Sequence, residues 1–455
     1  MKPLTTLDPK TLKSALAPLR RQNALHLQRY PGDAAGRQPV HVVYGGAHLF
    51  KSDSAAKLGE KALAALSRYG PDAFTFGRAL GLSEAVSRKV YDRVVEKLKR
   101  EPVEDFRIDF EDGYGNRPDA EEDGHAASAA AEVAKGLADG TLPPFIGIRV
   151  KTYSDELAAR SARTMDIFLT TLVRLTKGKL PSGFFITLPK IVHPGQAAAL
   201  AKLLAAFERR KKLAPGSLKV EIMVETTQHI IDHRGVAPMR AIVDALEGRC
   251  VAAHLGTYDY TASCSITAAH QKMSHPACDF AKNFMQVTLA GTGVMLSDGA
   301  TNIMPVGPHR AVPGAQLTPQ QDRENVEAVR RAWKLHFDDA RHSLETGIYQ
   351  GWDLHPAQLP SRYAAVYSFF IEGLPQATAR LKNFIDKAAQ ATLVGDVFDD
   401  AATGQGLLNY FLRARSCGAI TAEEAAATGL TPEEYASRSF LKILEGRKKL
   451  ARQRA

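Results

Sequence analysis

Two apolar runs in the middle of the chain each lead into an acid: Lys219-Val-Glu-Ile-Met-Val-Glu225 and Val251-Ala-Ala-His-Leu-Gly-Thr-Tyr-Asp259. Carboxylates on neighbouring strand ends, with no cysteine or histidine ligand set beside them, suit a hard divalent cation such as Mg²⁺. That ion takes one or two protein carboxylates and keeps its other positions for water and substrate. Glu225 and Asp259 are therefore the candidate ligands, with Mn²⁺ as the alternative ion. Alternation along the first run puts Val220, Ile222 and Val224 on one face and Glu221, Met223 and Glu225 on the other. Arg149 ends the run Phe145-Ile-Gly-Ile-Arg on the parity of Phe145 and Gly147. A guanidinium there can grip a carboxylate through two bonds or stabilise a developing oxyanion. The plainer reading makes it a structural partner of Glu111 or Asp112.

Other reactive side chains sit at similar positions. Glu111 and Asp112 precede a Gly-Tyr-Gly turn, and Glu111 shares a face with Asp109. Glu111 can thus orient a metal's water while Asp112 ties down the loop, and simple loop capping is the alternative. Lys190 closes the run Gly183–Lys190; a Schiff-base role needs a desolvated amine, which the metal reading makes unnecessary. His355, in Leu354-His-Pro-Ala-Gln358, titrates near neutrality and is a candidate general base, or else a hydrogen-bonded residue that shapes the loop after the last strand. Arg107 and Glu221 lie earlier in their runs and are expected to pair inside the fold.

These residues need elements to hold them. Besides the two opening runs, strand patterns occupy His41–Gly46, Asp105–Asp112, Phe145–Lys151, Gly183–Lys190, Val294–Asp298 and Trp352–Pro356. Between them lie Ala-rich helical stretches such as Ser54–Tyr69, Ser83–Arg100, Ala120–Leu137, Asp155–Thr176, Gly195–Lys212 and Ala237–Leu246. Strand and helix in alternation predict an α/β protein, a closed (β/α)8 TIM barrel with its chemistry at the C-terminal strand ends. Residues 1–40 form a basic helical leader, 41–370 the barrel and 371–455 a C-terminal helical cap or lid. Thr421-Ala-Glu-Glu and Thr431-Pro-Glu-Glu mark two helix starts in that last block. Thr261–Gly293 reads as a long insertion in the barrel.

Composition narrows the function classes. No run approaches the ~18 apolar residues of a membrane span. The opening residues carry an acid and prolines where a secretion signal is apolar, so the expected location is cytoplasmic. Four cysteines in 455 residues are too sparse for a disulfide scaffold. His254, Cys264, His270, His275 and Cys278 lack the tight ligand pairs of a zinc site. The net charge of +10 comes without a base-reading motif, which argues against nucleic acid and suits an anionic small substrate.

Six fragments carry a family resemblance: Phe110-Glu-Asp112, Ile148-Arg-Val150, Leu188-Pro-Lys190, Val224-Glu-Thr226, Gly256-Thr-Tyr-Asp259 and Leu354-His-Pro-Ala-Gln358. In this order and at these strand positions they resemble the citrate lyase β-subunit and malyl-CoA lyase group of the HpcH/HpaI aldolase family, over about residues 41–365. Phe398-Asp-Asp-Ala-Ala-Thr403 is similar to the Glu-Asp-Ala-Ala-Thr stretch of malate synthases, whose second acid is a base; here that acid is Asp400, for which helix capping is the alternative. The resemblance implies Mg²⁺-dependent carbon–carbon cleavage or condensation of a 2-oxo or hydroxy carboxylate, with a coenzyme A thioester as a further substrate. It also implies a homo-oligomer, a trimer or hexamer, with the C-terminal segment near a neighbour's site. Two other functions stay open: a pyruvate-forming class II aldolase without coenzyme A, and a non-catalytic barrel acting as a binding or regulatory subunit.

Overall fold

The computed structural model describes residues 5–34, 36–311, 316–386, 392–394, 397–399 and 401–454. Eight parallel strands close into one barrel in sequence order: β1 (His41–Gly46), β2 (Asp105–Asp109), β3 (Phe145–Arg149), β4 (Phe184–Leu188), β5 (Lys219–Val224), β6 (Cys250–Leu255), β7 (Met295–Ala300) and β8 (Gln350–Asp353). Closure is made by β1 on β8, with His41 opposite Gly351 and Val43 opposite Asp353. All eight strands fall within the runs expected from alternation or one or two residues beyond them. The (β/α)8 class is thus established.

Outward-facing Val43, Ile108, Ile146, Ile148, Ile186, Val220, Ile222 and Ala253 are buried beneath the helices. The helices supply matching apolar stripes, as in Ser54–Tyr69 with Ala62 and Leu66, and Ala158–Leu175 with Met165, Phe168, Leu169 and Leu172. Inside the barrel the packing is unusual, because branched aliphatics give way to charge. Arg107 is wholly buried, with its Nε 3.0 Å from Thr187 Oγ1 and 3.2 Å from Glu221 Oε2, and it also pairs with Asp105. Its guanidinium lies over the Phe185 ring, 5.1 Å from the centroid. The expected Arg107–Glu221 pair is therefore present, and it extends to a third charged group. Removing one partner leaves a buried charge uncompensated, so Glu221→Ala should cost about 3–5 kcal/mol in urea unfolding. A loss below ~1 kcal/mol would mean that water enters the barrel and solvates Arg107.

The Thr261–Gly293 segment corrects the sequence reading: it is not an insertion. It holds the helix Pro276–Leu289, which is the barrel's own connection from β6 to β7 and buries Cys278, Ala281, Met285 and Leu289. Its polar residues Asp279, Lys282, Asn283 and Gln286 obscure that stripe in the sequence, and Lys282 is itself buried against Asp298, 3.0 Å away.

The C-terminal helices Ala401–Ser416, Ala422–Ala426, Pro432–Ser437 and Phe440–Arg454 form a cap. Both expected capping boxes are made, Thr421 with Glu424 and Thr431 with Glu434. The barrel's last helix, Leu359–Asp386, runs on through Gly373 and Pro375, so barrel and cap share one element. Leu408, Phe411 and Ala414 bury the cap's apolar face, and Phe384 stacks on Phe440 at 5.1 Å. Arg93 forks onto Glu424, 2.9 Å to each oxygen. Arg413 reaches Gln38 at 3.1 Å and lies 4.0 Å over the Tyr349 ring. Gln38 and Tyr349 precede β1 and β8, so these helices close the N-terminal end of the barrel, opposite the strand ends that carry Glu225 and Asp259. Among the described residues no helix is long and apolar enough to cross a membrane.

Candidate active site

The C-terminal ends of β2 to β6 bring together most of the residues singled out above. Glu225 follows β5 directly and is only 2% exposed. Its Oε1 accepts the backbone N–H of Lys190, 2.6 Å away, just after β4. Asp259 lies in the first turn of the short helix Thr257–Ser263 after β6, half-exposed. Burial, reinforced by the charges of Asp259 and Glu111, pushes the Glu225 carboxyl up to about 8 against the pull of Arg149. Burial and Asp112 raise Asp259 as well, although Lys190 pulls it down. Two acids thus stand at adjoining strand ends, each with its carboxyl pKa raised.

Gly256 makes this approach possible. A Cβ there would lie 2.5 Å from Glu225 Oε2 and 2.6 Å from its Cβ. Gly256→Ala should therefore displace Glu225, lowering divalent-cation affinity by about tenfold or more in calorimetry, the scale set by disturbing a metal ligand's supports. Unchanged affinity would show that Glu225 does not contribute to a cation site.

Arg149 is buried at the end of β3, and its principal partner is one the sequence reading passed over. Asp109, at the end of β2, takes Nε at 2.8 Å and Nη2 at 2.6 Å in a two-pronged pair. The same carboxylate accepts the backbone N–H of Glu111 at 3.0 Å and of Gly113 at 2.7 Å, so one acid fixes both the guanidinium and the loop. Arg149 Nη1 points to Glu111 Oε2 at 3.2 Å and lies 3.7 Å from Asp112. The guanidinium rests 4.8 Å over the Tyr44 ring and 5.5 Å over that of Trp352. The signal for Asp109 was available, since it shares parity with Glu111 and stands opposite Arg149 once β2 and β3 pair in register.

Lys190 adopts a left-handed backbone, φ 51°, which turns its chain back over the site. Its ammonium pairs with Glu111, lies 3.0 Å from Asp112 and sits 3.9 Å from Asp259. Burial pulls its pKa down, but those acids outweigh it and hold the amine charged. That charge opposes the neutral amine a Schiff base requires. His355 is placed differently. Its Nδ1 accepts the Ala357 N–H at 3.1 Å and its backbone N–H donates to Gln358, closing the turn after β8. Burial and nearby Lys61 lower its pKa. It forms no hydrogen bond with Arg149, Glu225 or Asp259. Asp400 lies outside the described residues.

Among the described residues no group of three or more His, Cys, Asp or Glu side chains could hold a metal ion. At these strand ends Glu225 and Asp259 present two carboxylates, and a divalent cation bound there would take them in their ionised form. That fits an oxygen-only ion with water and substrate completing its shell.

Fold and site together define a (β/α)8 barrel with an acidic, arginine-anchored centre at its C-terminal strand ends. Residues 19–443 match the family described as Domain of unknown function (DUF6986), and the chain belongs to that family. No curated protein matches it. Among solved structures, a citrate lyase from Burkholderia xenovorans LB400 is 20% identical over 86% of this chain and 97% of its own, with a TM-score of 0.55. The CitE protein from Mycobacterium tuberculosis, in complex with magnesium, acetoacetate and coenzyme A, is 14% identical over 84% of this chain and 99% of its own, TM-score 0.47. Haloferax volcanii malate synthase in a magnesium/glyoxylate complex is 15% identical over 91% and 98%, TM-score 0.44. The likeness to the first, at 20% identity, is one of fold, and that protein falls in the citrate lyase group that the sequence fragments resemble.

Proposed function

We propose that the protein is a carbon–carbon lyase or condensing enzyme that uses Mg²⁺ or Mn²⁺, held by Glu225 and Asp259, and acts on a 2-oxo or 2-hydroxy carboxylate. The observation that carries this reading is the pair of acids, Glu225 and Asp259, at adjoining strand ends beside a buried guanidinium that Asp109 fixes. A bound divalent cation supplies Lewis acidity toward a substrate oxygen. Arg149, locked by Asp109 through Nε and Nη2, keeps Nη1 on the side of the site, where a substrate carboxylate or the oxygen charge that grows as the bond breaks or forms would take the place of Glu111. Lys190 neutralises Glu111 and Asp112 and leaves Glu225 and Asp259 to the cation. A coenzyme A thioester is the proposed second substrate class, in keeping with the family resemblance, and the working unit is proposed to be a homo-oligomer.

The test is calorimetry with Mg²⁺ followed by turnover assays across 2-oxo acids, aldehydes and coenzyme A thioesters. Binding of Mg²⁺ with cleavage or condensation of one such pair supports the reading. Neither binding nor turnover would leave a non-catalytic barrel, and turnover without any thioester would favour the class II aldolase.

Because the C-terminal helices close the opposite end of their own barrel, Asp400 of a neighbouring copy is proposed as the base that moves a proton at the reacting carbon. Asp400→Asn should leave Mg²⁺ binding intact and lower turnover by about 10²-fold or more. Unchanged turnover would leave it as a helix cap.

A further inference from the structure

The helix Pro9–Arg29 buries none of its residues, although Leu12, Leu16, Leu19 and Leu27 share one face and are between 42% and 67% exposed. Most of the stability of a helix in a protein comes from packing of its apolar face rather than from propensity. This one has no acid inside it to pair with Lys10, Lys13, Arg20 and Arg21. Burial of its leucine face against another element is what would hold it.

Its root lies beside a second uncovered ridge. Gly32 N–H donates to the Gly291 carbonyl at 2.9 Å, and the Arg240 guanidinium lies 5.4 Å over the Tyr30 ring. Gly291 follows the helix Pro276–Leu289, whose Phe280 and Val287 are 52% and 85% exposed, with Phe284 between them. Phe280, Phe284 and Val287 repeat the spacing of Leu12, Leu16 and Leu19. Asp279 at the head of this ridge pairs with Lys282 and His342, and Asp244 on the adjoining helix Met239–Ala245 pairs with Arg240; both carboxylates stay partly exposed and add negative charge beside the ridge, complementary to the arm's basic flank.

We propose that the helix Pro9–Arg29 is an exchange arm that docks its leucine face on the Phe280–Phe284–Val287 ridge of a second copy of this chain. Because root and ridge are neighbours in each chain, a two-fold axis beside the root makes the contact twice with one set of residues. An anionic lipid surface fits less well, since the leucine face carries no Trp or Phe.

The experiment mixes full-length Leu16→Cys protein with full-length Val287→Cys protein under mild copper-phenanthroline oxidation. A disulfide-linked pair containing one of each is expected, well above the level reached when Leu441→Cys replaces Leu16→Cys. In parallel, Leu16→Asp/Leu19→Asp protein should fall to half the wild-type mass in sedimentation velocity with an unchanged melting temperature, because both positions are exposed. Four results would overturn the proposal: no mixed disulfide above the control, a disulfide within one chain of a dilute Leu16→Cys/Val287→Cys variant, wild-type mass for the aspartate variant, or arm-dependent sedimentation with phosphatidylglycerol vesicles.

Discussion

Glu225→Gln should weaken Mg²⁺ binding by at least about 100-fold and reduce turnover in step, because disturbing groups that merely support a metal ligand already costs ~10–100-fold. The substitution keeps the shape of the side chain and its bond to the Lys190 N–H, so the fold should survive. Asp259→Asn should act in the same direction. A pH signature separates loss of a ligand from loss of structure. The folded Glu225 carboxyl sits at about 8, above its unfolded value, so folding takes up a proton between the two. Its contribution to stability is complete below the unfolded pKa and disappears as pH rises through about 8. Without divalent cation, wild type should therefore lose melting temperature between pH 5 and 9 relative to Glu225→Gln. Mg²⁺ should restore wild type at pH 9 and leave the variant unmoved. Equal Mg²⁺ affinity in wild type and variant would sink the ligand assignment.

Arg149→Lys should lower kcat by about 10²–10³-fold, the cost of removing one fixed donor from a developing negative charge. Lysine cannot hold Asp109 through two bonds, and a single ammonium cannot also aim at the place Nη1 occupies. Because Arg149 is buried against Asp109, the folded fraction needs checking by urea titration before rates are compared. Asp109→Asn isolates the positioning role. It should depress kcat more than it raises KM and should loosen the Glu111–Gly113 loop, whose N–H groups Asp109 also binds. Wild-type kcat in Arg149→Lys would reduce Arg149 to a structural ion pair.

The barrel and much of its interior were legible in the sequence because strand alternation is a local property. The parity that set Glu221, Met223 and Glu225 opposite Val220, Ile222 and Val224 is the parity found, and the Arg107–Glu221 pair follows from it. The two Thr-x-x-Glu capping boxes were equally readable, since every bond in them spans three residues. The Pro276–Leu289 helix was missed because buried Lys282 and the polar residues around it mask a stripe that only the β6–β7 neighbours make apolar.

Tertiary structure alone decided the rest. The pairing of Asp109 with Arg149 depends on the register of β2 against β3, which residues 40 positions apart cannot announce. Lys190 turns back over Glu111 and Asp112 through a left-handed backbone that nothing in Leu188-Pro-Lys190 requires. The cap's place at the N-terminal barrel end rests on Arg93, Arg413 and their distant partners Glu424 and Gln38. A chain's own sequence determines which faces are apolar and where turns and caps fall, because those are set by neighbours within a few residues. Which charged groups meet is set by barrel closure, since closure brings side chains far apart in sequence within reach of one buried charge.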